Sequence, residues 1–276
     1  MYSTPFLLAL LLSPTIVCAQ QAADKPAAPA QATATVIALP TNPSKMAEVI
    51  RGGYYHPDDL ASLDCSVSID WVKFFSALKT NLPDDRLKLL QGLKIHSHAV
   101  RGKVPELTYD WTAGNLSTKD QMESGFNQAI GGFYQMYWSI LGGSLVKTGD
   151  DIKKVELLPD GSANVDLSSD GASFVAAVNN DGSLGHMVLD SPAMKGTIDP
   201  QYVASPHPVP GDLRRISNVK VVERIGESNI NAELSVDYQE AGGFVIPKSV
   251  LFMAAGAFSL PIEFSSCTAS RAEGGH

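Results

Sequence analysis

Short apolar segments alternate with turn residues in the second half of this sequence. Asp-Gly pairs recur every ten or eleven residues, at Asp160-Gly161, Asp170-Gly171 and Asp181-Gly182. The segments between and beside these pairs have strand composition, and they cover 154–157, 164–167, 173–176 and 186–189. Because Asp-Gly is a favoured turn of β-hairpins, this rhythm predicts consecutive antiparallel strands in nearest-neighbour order.

Alternation of apolar and polar residues extends the strand prediction to both sides of this region. A half-buried strand is predicted at Cys65–Asp70, and a hairpin at 94–100 and 104–112. Later strands are predicted at about 216–225, 230–239, 244–252 and 257–264. Pro247 and Pro261 lie inside the last two, which predicts edge or bulged strands there. The total is about ten strands.

Helical periodicity is concentrated in the first half of the chain. A short helix is predicted from Pro43 to about Arg51, a second follows the N-cap residue Asp70, and a third follows Pro83. The longest is predicted over Thr118–Val146, where apolar residues lie three or four positions apart. Two Gly-Gly pairs within it predict either close approach to a sheet or a break into shorter helices, since each helical glycine costs roughly 1 kcal/mol.

The predicted long helix carries a wide apolar stripe. One line contains Met122, Phe126, Ile130, Phe133, Tyr137 and Leu141, and a second line beside it contains Tyr134 and Trp138. A stripe of helical period usually packs in a core. Its width also fits the lining of an apolar binding site, because one sheet face does not easily bury both lines. Both interpretations stay open, and the ligand-binding prediction names Phe126, Ile130, Phe133, Tyr137, Trp138 and Leu141.

The N-terminus has the composition of a secretory signal. Residues 6–12 are apolar and small residues precede a cleavage position after Ala19, so residues 1–19 are predicted to be removed. Lipidation at Cys18 is the alternative. Residues 20–42 predict a flexible Ala/Pro/Gln-rich tether, and residues 268–276 a disordered tail. We expect a periplasmic or secreted protein without a transmembrane segment.

Charge limits the classes of partner, and cysteine content indicates a disulfide. The net charge of −8 argues against nucleic acid and anionic membrane surfaces as partners. Removal of the signal leaves two cysteines, Cys65 and Cys267. An oxidising compartment predicts a disulfide between them, and two separate buried thiols are the alternative.

Sequence motifs for catalysis or cofactor binding are sparse. Ser144 and Lys147 match a Ser-x-x-Lys pattern, and Lys147-Thr148-Gly149 matches the Lys-Thr-Gly of penicillin-binding enzymes, but those enzymes need the two motifs on separate elements. His96 and His98 are the best metal candidates, because residues i and i+2 of a strand project from one face. With no third ligand evident, solvent-facing histidines are the simpler interpretation. No metal or cofactor is predicted.

The segment from Asp237-Tyr238 to Gly243-Phe244-Val245-Ile246-Pro247-Lys248 resembles the penultimate hairpin of LolA-like outer-membrane lipoprotein carriers and their relatives. The order of elements over residues 94–265 is similar as well. The resemblance implies a strongly curved antiparallel half-barrel whose concave apolar side is covered by helices. It also implies periplasmic carriage or sensing of acyl chains without catalysis. The greater length and the Cys65/Cys267 pair depart from the pattern of a minimal carrier.

Together these patterns predict one α+β domain over residues 43–267. Its sheet is expected to be a curved half-barrel of about ten strands in meander order, with the long apolar helix on the concave face. The predicted function is non-catalytic binding or transport of a hydrophobic small molecule or lipid in the bacterial envelope. The alternatives are a secreted hydrolase with an unrecognised acid/base pair, and a structural or scaffold protein that binds an envelope partner.

Overall fold

A computed structural model describes residues 37–111, 119–143, 146–169, 172–190, 195–204, 213–225, 228–254 and 258–272. The predicted signal peptide, residues 20–36 of the predicted tether and the Asp170-Gly171 turn lie outside these residues. So do Thr118, Ser144 and the last four residues of the predicted tail.

The described residues contain four α-helices: α1 (Pro43–Gly52), α2 (Trp71–Ala77), α3 (Asp84–Gln91) and α4 (Lys119–Met136). The first three confirm the short helices predicted from capping signals. The Asn42 side chain accepts a hydrogen bond from the Lys45 amide, and the Asp70 side chain accepts one from the Lys73 amide. Each cap satisfies a backbone donor that a helix otherwise leaves unpaired at its N-terminus.

The long apolar helix predicted over Thr118–Val146 is shorter in the structure. The α-helix ends at Met136 and continues as a π-helical turn over Tyr137–Leu141. The Gly142 amide then donates to the Tyr137 carbonyl, and a Cβ atom on Gly142 would lie 2.9 Å from the Tyr137 ring. The pair Gly142-Gly143 therefore ends the helix, because the chain turns against a ring that leaves no room for a side chain at Gly142.

Among the described residues, twelve antiparallel strands form one sheet, more than the ten or so predicted. They are β1 (Leu60–Ile69), β2 (Lys94–Val100), β3 (Glu106–Asp110), β4 (Ile152–Leu157), β5 (Ala163–Ser169), β6 (Ala172–Val178), β7 (Leu184–Asp190), β8 (Lys195–Ala204), β9 (Arg214–Ile225), β10 (Ser228–Ala241), β11 (Phe244–Ala254) and β12 (Phe258–Arg271). The strand order is β3-β2-β1-β12-β11-β10-β9-β8-β7-β6-β5-β4. The predicted α+β class and meander order are confirmed, since β4 to β12 pair in chain order. The last strand runs four residues into the predicted tail.

The sequence prediction missed β8, and of the two alternatives given for the strands with Pro247 and Pro261, edge or bulged, the edge position is wrong, whereas β12 has a register shift against β1. β8 contains Pro200, and the strands with Pro247 and Pro261 lie inside the sheet. Each of these prolines follows or precedes the end of a neighbouring ladder. The β7–β8 ladder ends at Ile198, two residues before Pro200, and the β1–β12 ladder ends one residue from Pro261. A proline without an amide proton is tolerated there because no partner strand requires its donor.

The described residues fall into two compact units. Unit 1 contains residues 37–56 and 146–234, and unit 2 contains residues 57–143 and 235–272, each within the described ranges. β10 contributes residues to both units.

In unit 1, α1 packs on one face of the strands β4 to β7. Met46, Ala47 and Ile50 of the helix lie in a core with alternate strand residues, among them Val165 and Ala176. The period of two along each strand places these residues on the same face. Ile37 and Leu39, from the segment predicted as a tether, pack against or within this core as well.

Two of the predicted Asp-Gly turns lie in unit 1 and have the same hydrogen-bond pattern. The Gly161 amide donates to the Leu158 carbonyl, and the Gly182 amide donates to the Asn179 carbonyl. Both glycines have positive φ, +86° and +79°. This is the three-residue hairpin in which a glycine follows a type I turn in the left-handed conformation. The Asp-Gly rhythm therefore predicted the turn residues correctly at both described positions.

The two turns differ in how closely other residues approach their glycines, so they provide a matched pair of substitutions. A Cβ at Gly182 would lie 3.0 Å from a Val49 methyl group, whereas the nearest atom to a Cβ at Gly161 is 3.9 Å away. We expect Gly161→Ala to lower the free energy of unfolding by about 1–2 kcal/mol, the cost of a left-handed non-glycine residue. Gly182→Ala should cost at least about 1 kcal/mol more, because it also overpacks the α1 contact. Urea denaturation measures both, and equal losses would contradict the α1 packing.

Candidate functional site

Helix α4 covers one face of the sheet in unit 2. Alternate residues of the central strand β1 (Leu63, Cys65, Val67 and Ile69) are buried on this face. Their registered partners on β2 and β12 include Ala99, Ser97, Ile95, Phe264 and Ile262, which are buried too. The alternation predicted for β1 therefore produces the apolar surface on which α4 lies.

Aromatic rings contribute to the contact between α4 and this face. Phe133 stacks on Phe264 of β12 with ring centroids 5.3 Å apart, and Tyr134 approaches the edge of the same ring at 5.7 Å. Phe133 also meets Phe252 of β11 edge to face at 6.3 Å. Such geometries are favourable for aromatic pairs, with each pair contributing about 0.5–1.5 kcal/mol beyond its buried area.

The N-terminal half of α4 has its own aromatic neighbours. The Phe126 ring lies 5.5 Å from Trp71 of α2 and 6.1 Å from Tyr109 of β3. The Tyr109 hydroxyl donates to the Asn127 side-chain oxygen at 3.0 Å, and the Trp111 indole donates to Glu123 at 2.7 Å. These contacts anchor the polar edge of the helix to the end of β3.

The structure brings five of the six predicted ligand-binding residues into the buried interface. Phe126, Ile130, Phe133, Tyr137 and Leu141 are at most 8% exposed. Trp138 is half-buried; its ring packs on Tyr137 at 4.9 Å, and the Arg101 guanidinium lies 5.2 Å from its centroid. The stripe therefore consists of a packed line and one residue at its rim.

A buried polar pair lies within this apolar layer. The hydroxyl groups of Ser97 on β2 and Tyr134 on α4 share a hydrogen bond of 2.8 Å, and Ser97 also donates to the Cys65 carbonyl. Burial raises the pKa of the Tyr134 hydroxyl, and the charge of Asp64 raises it further, while the bond to Ser97 opposes the shift. Sequence reasoning missed Ser97, although its place in the alternating β2 pattern indicates an inward side chain.

The predicted disulfide between Cys65 and Cys267 is present, and it joins β1 to β12 beside this pair. The β1–β12 register shifts by one residue here, and Ser266 has a φ of +49°. The Gln239 side-chain amide donates to the carbonyls of Pro247 and Phe264, which completes hydrogen bonding where the β11–β12 ladder has ended.

Little space remains next to the helix at this point. A recess beside the disulfide is too narrow to hold a water molecule; its lining is Leu63, Cys65, Tyr134, Ile246, Pro247 and Phe264. No helix among the described residues is long and apolar enough to cross a bilayer.

The opposite face of β1 and β2 carries the two histidines singled out as metal candidates. The His98 Nδ1 atom lies 2.6 Å from the Asp64 carboxylate, and the His96 Nε2 atom lies 3.9 Å from the same oxygen. All three side chains are partly exposed. Among the residues that the structure describes, no group of three or more His, Cys, Asp and Glu side chains is placed so that it could hold a metal ion.

Stability at high pH tests the burial of Tyr134. Above about pH 10 an unfolded tyrosine loses its proton, whereas the raised pKa keeps Tyr134 protonated in the folded chain. The unfolded state then binds fewer protons, so the free energy of unfolding falls as the pH rises, by up to about 1.4 kcal/mol per pH unit for this group. Tyr134→Phe should make the decline between about pH 10 and pH 11.5 less steep. Parallel curves for the two proteins in denaturant titrations would refute this role of burial.

Comparison with known proteins adds no relative. No family model matches the sequence, and neither a curated protein nor a solved structure matches it. The resemblance to LolA-like carriers therefore stays a prediction from sequence pattern.

Proposed function

We propose that this chain is an exported, non-catalytic protein that binds a hydrophobic molecule with an acyl chain on the sheet face that α4 covers in unit 2. The observation that carries the proposal is the composition of the α4 contact. It includes aromatic rings packed on an apolar sheet face.

An apolar ligand can replace a helix on such a face, because the face does not require one particular covering group. Apolar burial is non-directional and contributes about 25 cal/mol per Å² whatever group provides the cover. The face exposed by displacement of α4 would present Phe252 and Phe264 with the inward side chains of β1. In this proposal α4 covers the part of the sheet face where the acyl chain binds, until a ligand displaces the helix.

Two further features are consistent with export and carriage. The Cys65–Cys267 disulfide suits an oxidising compartment, as does the signal predicted at residues 1–19. The resemblance of the Tyr238 to Lys248 hairpin to LolA-like carriers implies the same location and ligand class. The half-barrel curvature of the sheet belongs to this proposal.

A second candidate function is a scaffold in an envelope complex. The observation that favours it is the close packing next to α4, where the recess at Cys65 does not admit water. A scaffold requires a filled interior and an outer surface that binds a partner. It predicts co-purification with an envelope protein and no uptake of acyl ligands.

Acyl binding can be measured with the fluorescent fatty acid cis-parinaric acid on protein purified without detergent. We expect a saturable rise in fluorescence and, in native mass spectrometry, a bound mass. Tyr134→Phe should tighten binding, because loss of the Ser97 hydrogen bond weakens the covered state by about 1 kcal/mol and raises the ligand-competent fraction about fivefold.

The matched control is Tyr54→Phe in unit 1. Tyr54 is a partly buried tyrosine, and its hydroxyl accepts a hydrogen bond from the Leu184 amide. This variant should bind the probe as the unchanged chain does. A bare-chain mass with no fluorescence gain would contradict the carrier proposal and favour the scaffold. Equal effects of the two variants would place the ligand away from α4.

A further inference from the structure

We propose that the outer face of β1 and β2 binds one divalent transition-metal ion, such as Zn²⁺, through His96, His98 and Asp64. The site is separate from the apolar face under α4, because side chains of opposite parity on the same strands form it. Cys65 and Ser97 face α4, whereas Asp64 and both histidines face solvent.

The strand register places these three groups together. Asp64 pairs directly with His98, and Ser66 pairs with His96, so the carboxylate lies across the strand from the two imidazoles. Glu106 of β3 is opposite His98 on the other side of β2 and adds negative charge to the same face. The face thus offers two imidazoles, one close carboxylate and one nearby carboxylate to a cation.

The two distances from the Asp64 carboxylate to the imidazoles can be compared with those around a bound ion. Metal–ligand bonds of about 2.0–2.1 Å in a tetrahedral arrangement hold donor atoms about 3.3 Å apart. The observed distances from the Asp64 oxygen are 2.6 Å to His98 Nδ1 and 3.9 Å to His96 Nε2, one shorter and one longer than this value. The donors are therefore not at coordinating distances in this conformation, and the proposal requires side-chain rotations that change each of these two distances by less than about 1 Å.

Accessibility and chemistry also suit a transition metal. The side chains of His96, His98 and Asp64 are 53%, 43% and 36% exposed, so an ion can reach them and water can complete its coordination. Imidazole nitrogen with one carboxylate oxygen is a ligand set typical of Zn²⁺, Cu²⁺ or Ni²⁺ and unsuited to Mg²⁺ or Ca²⁺. The ion would link β1 to β2, next to the strand pair that the disulfide links.

A matched control exists elsewhere in the chain. His186 of β7 and Asp199 of β8 form a pair with the same geometry, Nδ1 to Oδ1 at 2.7 Å, and similar exposure of about half. His-x-His spacing is absent there, since Gly185 and Met187 flank His186 and the residues two positions away are Leu184 and Val188. A single imidazole and carboxylate should bind Zn²⁺ far more weakly than the three-residue group.

The test is isothermal titration calorimetry of the tag-free chain with ZnCl₂ after removal of metal by EDTA and dialysis. We expect one saturable site per chain that MgCl₂ does not occupy. His96→Ala, His98→Ala and Asp64→Asn should each weaken Zn²⁺ binding more than about tenfold, the lower end of the cost of even an outer-shell change. His186→Ala should leave binding unchanged.

A spectroscopic readout distinguishes coordination from an indirect effect on folding. Electron paramagnetic resonance of the Cu²⁺-loaded chain should show coupling to two imidazole nitrogens, and to one in His96→Ala. The substituted side chains face solvent, so circular dichroism should show unchanged folding of the variants. Absence of saturable Zn²⁺ binding would overturn the proposal, as would equal losses in His186→Ala and His98→Ala, or a copper spectrum that His96→Ala does not alter.

Discussion

The stacking of Phe133 on Phe264 joins α4 to the sheet of unit 2, and the arrangement of that unit depends on it. The sheet face beneath the helix is apolar because β1, β2 and β12 alternate in the same phase. Such a face must be covered, since its exposure to water is unfavourable by about 25 cal/mol per Å². The helix meets this requirement with rings, which bury a large area and lose little side-chain entropy.

The need to hold α4 on this face also explains the contacts at the two ends of the helix. Tyr109 and Trp111 hold the N-terminal half of α4 by hydrogen bonds, and Gly142 lets the chain turn closely against Tyr137 at the other end. Between them, the Ser97–Tyr134 bond is a directional contact in a non-directional layer. It fixes the position of the helix on the sheet. Removal of this one bond is therefore the smallest change that weakens the packing of α4 on the sheet.

Local signals in the sequence were sufficient for much of this fold. The caps at Asn42 and Asp70, the Asp-Gly turns and the alternation at Cys65–Asp70 act within a few residues, and each predicted its element. The strand β8 was missed because Pro200 argues against a strand. The proline is tolerated because the β7–β8 ladder has already ended at Ile198. The length of α4 was overestimated because periodicity does not reveal a ring packed on Gly142. The candidate site could also be predicted only in part. The apolar stripe of α4 is visible in the sequence, but the contacts of Ser97, Gln239 and Asp64 depend on which strands pair and in what register, and the sequence does not show this.

The central claim is that a ligand takes the place of α4 on the unit 2 face. Hydrogen–deuterium exchange of the chain with and without cis-parinaric acid tests it most directly. We expect faster exchange of the α4 amides, residues 119–136, when the probe is bound, with unchanged exchange in α1 of unit 1. Probe binding that leaves α4 exchange unchanged or slows it would contradict the claim, because the helix would then still cover the sheet.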